Sequence, residues 1–399
     1  MHQTESKSGR NRRDIVFVIA VSLITAILFF LPHSQGPGSW NSVRVRALVT
    51  RVDNSLIQRI GPIKQGEQSL ELRLLSGQWK GRSLETTNNL VGKIEIDKFF
   101  APGDRILAVL DLSDDGKTVL YANAIDHYRT DKTLVLVALL LVLLVSLTGI
   151  VGLKTFVSFV FTAAIIFKVI VPAMLSGVDP ILATLACTAT LTAVILFLVG
   201  GVNKQGLTAF SGAMFGVLLT AFLSYAFTRW FRLHGATRPF AEALIYSGYQ
   251  HLDIERLFMS GIFLASSGAV MDLAMDIATA MREVREQQPH ITRRGIVYAG
   301  LSVGKHMTGT MTTTLLLAYS AEYTAMLMTF VAQGIPFENV INLVFVSSEI
   351  VHTLVGCFGL VLVAPLTAIA GGLILGPGAY DRAATNRVTA YSGDDMQDR

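Results

Sequence analysis

The sequence predicts an α-helical polytopic membrane protein of about eight transmembrane helices. A small all-β, OB-like barrel is expected as an external domain after the first helix. Three observations predict this. Half of the 399 residues are apolar (51%) and only 16% are charged, the composition of a chain solvated largely by lipid. Apolar stretches of about 20 residues, the length that crosses a bilayer as a helix, recur along the chain. Between residues 32 and 132 they give way to short alternating runs.

The apolar stretches fall near 14–31, 133–151, 155–175, 181–200, 207–228, 257–281, 306–331 and 340–375. The last is too long for one straight crossing, and Glu349 and His352 interrupt it, so a short broken or re-entrant lead-in is expected before the main helix. Arg10, Arg12 and Arg13 ahead of the first stretch resemble a signal-peptide n-region. That stretch is long for an h-region, however, and Pro32-His33-Ser34-Gln35 offers no small-x-small cleavage site. It reads as an uncleaved anchor.

A basic start argues for a cytoplasmic N-terminus. Residues 32–132 then lie outside, while Lys154, Lys204 and Arg293-Arg294 fall on the cytoplasmic side together with a polar, disordered tail over 377–399. One connector objects: Arg229, Arg232, Arg238 and Arg256 bracket a segment the same count places outside. It is either partly embedded or a sign that the count is off by one. The formal net charge of +4 is spread over loops and asks for no nucleic-acid partner. Cys187 and Cys357 both lie in predicted spans, away from any external disulfide.

Within 32–132, period-two patterning appears at 43–49, 69–74, 93–96 and 105–110, separated by Gly, Pro and Asn signals, and argues for antiparallel strands. Asp114-Asp115-Gly116-Lys117 reads as a hairpin turn and Pro102-Gly103-Asp104 as a turn ahead of a strand. About a hundred residues suffice for one small barrel or sandwich. Its 14 Lys and Arg against 12 Asp and Glu make no electrostatic platform for nucleic acid.

Polar residues inside the spans carry the functional expectation. Asp272 and Asp276 sit one helical turn apart on one face, in line with Gly261, Ala265, Gly268, Thr279 and Glu283. Small residues let another helix approach, which would set the carboxylates in a seam. Two carboxylates that close in low dielectric do not both ionise readily, so one of them should cycle a proton. The alternative is a hydrated pair near the cytoplasmic interface, since Arg282 follows closely. The next helix opens with Lys305, His306, Thr308, Gly309, Thr310, Thr312, Thr313 and Thr314. Its threonines either line a polar path or stitch helices together, and Lys305 and His306 are candidate partners for the aspartates. Gly261, Gly268 and Gly309 are candidate helix-packing positions. Glu349 and His352, at i and i+3, share a face. Glu-x-x-His is one component of di-metal sites, but no repeated metal spacing accompanies it, and no metal site or cofactor is expected. No Ser-His-Asp order, phosphate loop or nucleotide motif stands out, so neither catalytic residues nor ATP-driven transport is expected.

These residues also carry a resemblance. The stretch from Gly268-Ala269-Val270-Met271-Asp272 through Asp276-Ile277-Ala278 resembles the signature of the YibE/F-like family of bacterial multi-pass membrane proteins. So do Gly309-Thr310-Met311 running into Thr314-Leu315-Leu316-Leu317-Ala318-Tyr319, Glu349-Ile350, Val355-Gly356, Gly359-Leu360 and Pro365-Leu366-Thr367. In the external domain Lys80-Gly81, Asn88, Gly92 and Pro102-Gly103-Asp104 match as well. The resemblance implies a bacterial plasma-membrane protein with an N-terminal anchor, an external β domain and a helical bundle, and little about activity. Lys305-His306 stand where the family pattern usually has an arginine–aspartate pair, and Thr313 replaces an asparagine.

Three functions are compatible with the sequence. The first is a secondary transporter or exporter of a small solute or ion, coupled to protons or sodium through Asp272, Asp276, Lys305, His306, Thr310, Thr313, Glu349 and His352. The second is a non-catalytic envelope scaffold that binds a protein partner or a second copy of itself. The third is an intramembrane metal-dependent enzyme resting on His306, Glu349 and His352.

Overall fold

The structure, a computed structural model, describes residues 2–30, 42–113 and 115–376, the side chains of 2–14 excepted. The expected disordered tail over 377–399 lies outside the described residues. The chain divides into two compact units: Ser34–Leu143, and the sequence on either side of it. The opening helix α1 (His2–Phe30) belongs to the second unit.

The first unit holds β1 (Ser42–Ile60), β2 (Ile63–Leu74), β3 (Ser83–Val91), β4 (Arg105–Leu112) and β5 (Val119–His127). All pairings are antiparallel, in the order β3-β2-β1-β4-β5. The two outer strands turn toward each other. The Thr86 hydroxyl donates to the Ala122 carbonyl, and the Thr87 and Tyr121 hydroxyls lie 3.1 Å apart. The sheet thereby nearly closes into the OB-like barrel the sequence predicts.

β1 makes the closure possible. It pairs with β4 over 42–48 and with β2 over 47–60, and shifts register at Val49/Arg51 and again at Asp53/Leu56. Such irregularities bend a strand and increase its twist. At the second shift Gly66 (φ +121°) lies against the Leu56 carbonyl, where a Cβ has no room.

Alternation then puts Val45, Ala47, Leu72, Ile106 and Leu110 inside, around a fully buried Phe100. The run at 93–96 is a turn instead of a strand, with Ile94 and Ile96 exposed. Its reason is Asp97, whose carboxylate accepts from the backbone N–H of Val91, Gly92 and Lys93 at 3.0, 2.7 and 2.8 Å and ends β3. At the other end of the barrel Asp126 is partly buried, which raises its proton affinity. The Arg129 guanidinium and the His127 N–H outweigh that and hold the carboxyl below its usual range.

One buried polar group fastens the 98–100 segment to the barrel. Gln68 donates to the Asn54 side chain and the Phe100 carbonyl (2.9 Å each) and accepts from the Phe100 N–H (3.1 Å) and Asn88 (3.2 Å). Asn88 in turn donates to the Lys98 carbonyl at 2.6 Å.

The second unit is helical, and the boundary between the units falls within α2 (Thr130–Thr148). There follow α3 (Ile150–Ile165), a π-helical turn over Ile166–Ile170, α4 (Val171–Leu175), α5 (Pro180–Gly200), α6 (Lys204–Trp230), the short α7 (Ala241–Tyr246), α8 (Ile254–Gln287), α9 (Arg293–Ala332), the short α10 (Phe337–Asn342) and α11 (Val344–Ile374). The π turn precedes Pro172, which has no N–H to donate and whose ring crowds the preceding turn. Seven segments are long and apolar enough to cross a membrane: α2, the continuous Ile150–Leu175, α5, α6, α8, α9 and α11. They correspond to seven of the eight predicted stretches. The remaining one, 14–31, is the shorter apolar part of α1, Ile15–Phe30.

Helix ends follow local chemistry. Asp179 caps α5 ahead of Pro180, and Asn203, Asp253 and Thr292 cap α6, α8 and α9 through their side chains. The lead-in expected before the last span is α10, and the break falls at extended Leu343. Glu349 and His352 lie within the unbroken α11 and do not interrupt it. α9 also differs from expectation: it begins at Arg293, so Lys305 and His306 sit deep inside a 40-residue helix and not at its start.

The core of this unit is α11 packed on α6, α8 and α9, with Val270, Leu273, Ile277, Met281, Leu360 and Val363 at its centre. Glycines set the approach. A Cβ on Gly212 would strike Thr367, one on Gly359 would strike Thr220, and one on Gly371 would meet Met281. Cys187 and Cys357 are buried free thiols.

Two outcomes test this description. Gln68→Leu strands the Phe100 amide and carbonyl together with Asn88, and should destabilise the barrel by about 2–4 kcal/mol, read as lost hydrogen-exchange protection over 83–110. Gly359→Ala should destabilise the helical unit by about 1–3 kcal/mol in thermal unfolding in detergent. Adding Thr220→Ala, which removes the obstructing hydroxyl, should restore part of that loss.

Candidate functional site

The connector between α6 and α8 determines what reaches one end of the bundle. Gly235 (φ +76°) presses against the Ile254 carbonyl, where any side chain would collide. His251 lies 3.2 Å from the Leu175 carbonyl. Leu233, Ala241 and Leu252 are buried, so the connector packs on the helices over much of its length.

From this pinned segment Arg238 reaches over Phe258, 5.7 Å from its ring centroid, and donates to Glu349 Oε1 of α11 at 2.8 Å. Glu322 of α9 stands 3.9 Å from the same guanidinium nitrogen. The Arg238 and Glu349 side chains are only 29% and 12% exposed.

His352, one turn along α11 and buried, sets its Nδ1 3.7 Å from Glu349 Oε2. The Tyr319 ring of α9 lies 4.4 Å from the His352 ring between centroids, and Gly356 gives it room at 3.3 Å. Three helices, α8, α9 and α11, and a connector thus meet around Glu349, one imidazole, one phenol and one guanidinium. Among the described residues Glu349 Oε2, His352 Nδ1, the Tyr319 hydroxyl and the Thr353 hydroxyl are buried and make no hydrogen bond. Polar atoms in that condition are costly unless something else satisfies them. The cluster therefore offers polar atoms that a further hydrogen-bonding group could satisfy.

Several other arginines of this region are also paired. Arg256 bonds Asp179, and Arg229 stands 3.3 Å from Glu255. A shallow cleft lined by Arg229, Arg232, His234 and Glu255 opens at the same end.

Asp272 and Asp276 are placed differently. Asp272 is exposed and Asp276 half-buried on α8, in line with exposed Gly261, Ala265 and Gly268. No neighbouring atom lies within 4 Å of a Cβ built on Gly261, Gly268 or Gly309. The seam expected along this face is therefore not made among the described residues. Glycines that do bring helices together include Gly212, Gly216, Gly300, Gly304, Gly359 and Gly371. The pair also lies toward one end of the bundle, since Met275 touches Gly200 at the end of α5.

Lys305, His306, Thr310 and Thr313 are exposed on α9, and among the described residues neither Lys305 nor His306 pairs with an aspartate. The threonines do not stitch helices. Thr308, Thr310, Thr312, Thr313 and Thr314 each donate back to a carbonyl of α9 itself, as is common for threonine in membrane helices.

A metal reading fits poorly. Among the described residues no three His, Cys, Asp or Glu side chains gather, and Oε1 of Glu349 already accepts from the Arg238 guanidinium. His306 is exposed on α9, while Glu349 and His352 sit with Arg238 and Tyr319. Sequence reasoning found Glu349 and His352 by their spacing and missed Arg238 and Tyr319. It also missed Thr184, Thr188 and Thr192, fully buried at one-turn spacing on α5 with unbonded hydroxyls; that four-residue spacing was the available signal.

The family model described as YibE/F-like protein matches residues 136–377. The matched region contains the cluster, both aspartates and every candidate site residue named above, and leaves out the barrel. Comparisons with curated proteins and with solved structures gave no match.

The cluster makes a mutational prediction. Arg238→Ala leaves Glu349 buried without its counter-charge and should cost up to about 3–5 kcal/mol. Glu349→Gln combined with Arg238→Gln should cost clearly less than the two single changes together. A double-mutant cycle on thermal unfolding in detergent checks this, and strict additivity would show that the pair does not couple.

Proposed function

The chain belongs to the YibE/F-like family, and we propose that it is a secondary transporter or exporter of a small solute or ion, coupled to protons or sodium through ionisable side chains in the membrane. It works in the bacterial plasma membrane, with a cytoplasmic N-terminus and the β-barrel outside. The observation that carries the reading is the buried Arg238–Glu349–His352–Tyr319 group, with its unbonded polar atoms inside an apolar bundle. Ionisable groups at such a place mark ion or substrate pathways by default.

The ion pairs of Arg229, Arg238 and Arg256 also support the orientation. These arginines are neutralised on the folded bundle, so they weigh less against an outer position.

Arg238 gives the site a way to respond. While Glu349 is charged it holds the guanidinium at 2.8 Å. A proton or cation arriving on Glu349 removes that attraction, and Glu322, 3.9 Å away, becomes the better partner. Arg238 belongs to the connector, so the exchange transfers the connector's ion pair from α11 to α9 and uncovers Glu349. Asp272 and Asp276 provide ionisable groups toward the opposite end.

A second reading has its own support. The uncovered polar faces of α8 and α9 favour a membrane scaffold that engages a partner.

Charge movement recorded on a solid-supported membrane separates the two. The challenges are pH steps, sodium steps and a panel of amino acids, cations and anions. Transport predicts a substrate-dependent current that falls about tenfold or more in Glu349→Gln and in Asp276→Asn, with both variants folded. Folded protein that stays silent throughout the panel, in the electrical recording and in parallel isotope flux, supports the scaffold.

A further inference from the structure

We propose that the α8 and α9 polar faces are the two halves of a self-complementary interface between two copies of this chain within the membrane. The inference does not depend on the transport reading.

The two faces match in depth. Within one chain, a Cβ on Gly304 would lie 3.1 Å from Ile277 Cδ1, and one on Gly300 would lie 2.6 Å from Met281 Sδ. These contacts fix the antiparallel register of α8 against α9. Carried one residue on, the same register sets Asp276 level with Lys305. One turn deeper Asp272 is level with Gly309, and one turn further Gly268 is level with Thr313. Acid on one helix stands at the height of base on the other, and small residue at the height of small or polar residue.

The faces are open as well. Asp272, Lys305, His306, Gly309 and Thr313 are exposed, Asp276 is half-buried, and none of the four ionisable side chains makes a hydrogen bond or ion pair among the described residues. Gly268 and Gly309 have open space at the Cβ position. Charged groups within a span normally face protein, and interfaces in lipid are enriched in small residues that let backbones approach.

Only some covers suit these faces. α2 has no buried residue and reads TLVLVALLLVLLVSLT after its first turn, so it offers the carboxylates no counter-charge. The α9 face does. Because both halves belong to one chain, a two-fold axis along the membrane normal lays α8 of each copy on α9 of the other. The acid–base level is then made twice, as a closed isologous dimer requires. Asp276 meets the partner subunit's Lys305, and Gly268 meets the partner subunit's Thr313.

The test uses the full chain in lipid nanodiscs. Gly268→Cys and Thr313→Cys are placed on separate, differently tagged copies in a Cys187→Ala, Cys357→Ala background, and the copies are co-expressed and oxidised. A disulfide joining the two tags, absent when either variant is expressed alone, is the expected result. Wild-type chain should run as a dimer by mass photometry. Asp276→Lys and Lys305→Asp should each weaken dimerisation by about tenfold or more, and the double swap should restore it. Folding of each variant is read from its monodisperse elution. Wild-type monomers in lipid, no cross-tag disulfide, or a double swap no better than its singles would overturn the proposal.

Discussion

In lipid, apolar contact with a neighbouring helix gains little over apolar contact with acyl chains, so closeness of fit decides which helices associate. Here the fit is supplied by glycines where α11 crosses α6 and α8. Gly212 and Gly216 on α6 receive Thr367 and Val363, and Gly359 and Gly371 on α11 receive Thr220 and Met281. That makes α11 the buried spine of the helical unit. Most of the polar groups it carries are thereby committed to the interior, Glu349 and His352 among them. The chemistry of the cluster is a consequence of this packing. An acid on a helix that touched fewer neighbours would have faced lipid, water or another chain.

The fold was legible wherever one physical rule acts alone. Span length is imposed by bilayer thickness, so seven crossings could be placed from hydropathy, with ends displaced by a few residues. The start of α9 was the exception. Lys305 and His306 looked like a helix end, because charges usually stand at ends. They sit in its interior because the face they occupy is open, and burial by neighbours is not written in a single helix. In the barrel, β1, β2 and β4 showed their alternation. β3 did not, since Thr86, Thr87, Asn88 and Asn89 replace apolar residues and the inward Asn88 is satisfied by Gln68 instead of by packing. Conversely 93–96 alternates well and forms no strand, because three amide bonds to Asp97 end the ladder first.

The candidate site was half legible for a similar reason. Glu349 and His352 are three residues apart on one helix, and spacing reveals such pairs. Arg238 lies 111 residues before Glu349, in a connector where an arginine reads as a topology signal. Nothing local shows that Gly235 turns the chain under α8 and aims that side chain inward. Tyr319 was hidden in an apolar run, where a phenol looks like another lipid-facing aromatic until Gly356 is seen to receive it.

The chain therefore handles intramembrane charge in two ways. At one end an acid is compensated within the chain, by a guanidinium drawn from a distant connector. Toward the other end Asp272 and Asp276 keep an open face, because the α8 residues that turn toward α9 and α11 are Ile277 and Met281, about a quarter of a turn or more away. Both pairs lie about one helical turn apart on one face, at i, i+3 for Glu349 and His352 and at i, i+4 for the aspartates, so spacing alone cannot tell them apart. The consequences of substitution differ in kind. Removing Glu349 disturbs a network internal to one copy, so its effect should not depend on protein concentration. Removing Asp276 alters a surface, and its effect should depend on whatever meets that surface, and so on concentration when the partner is another copy. Concentration dependence thus reports which of the two kinds of compensation each carboxylate has.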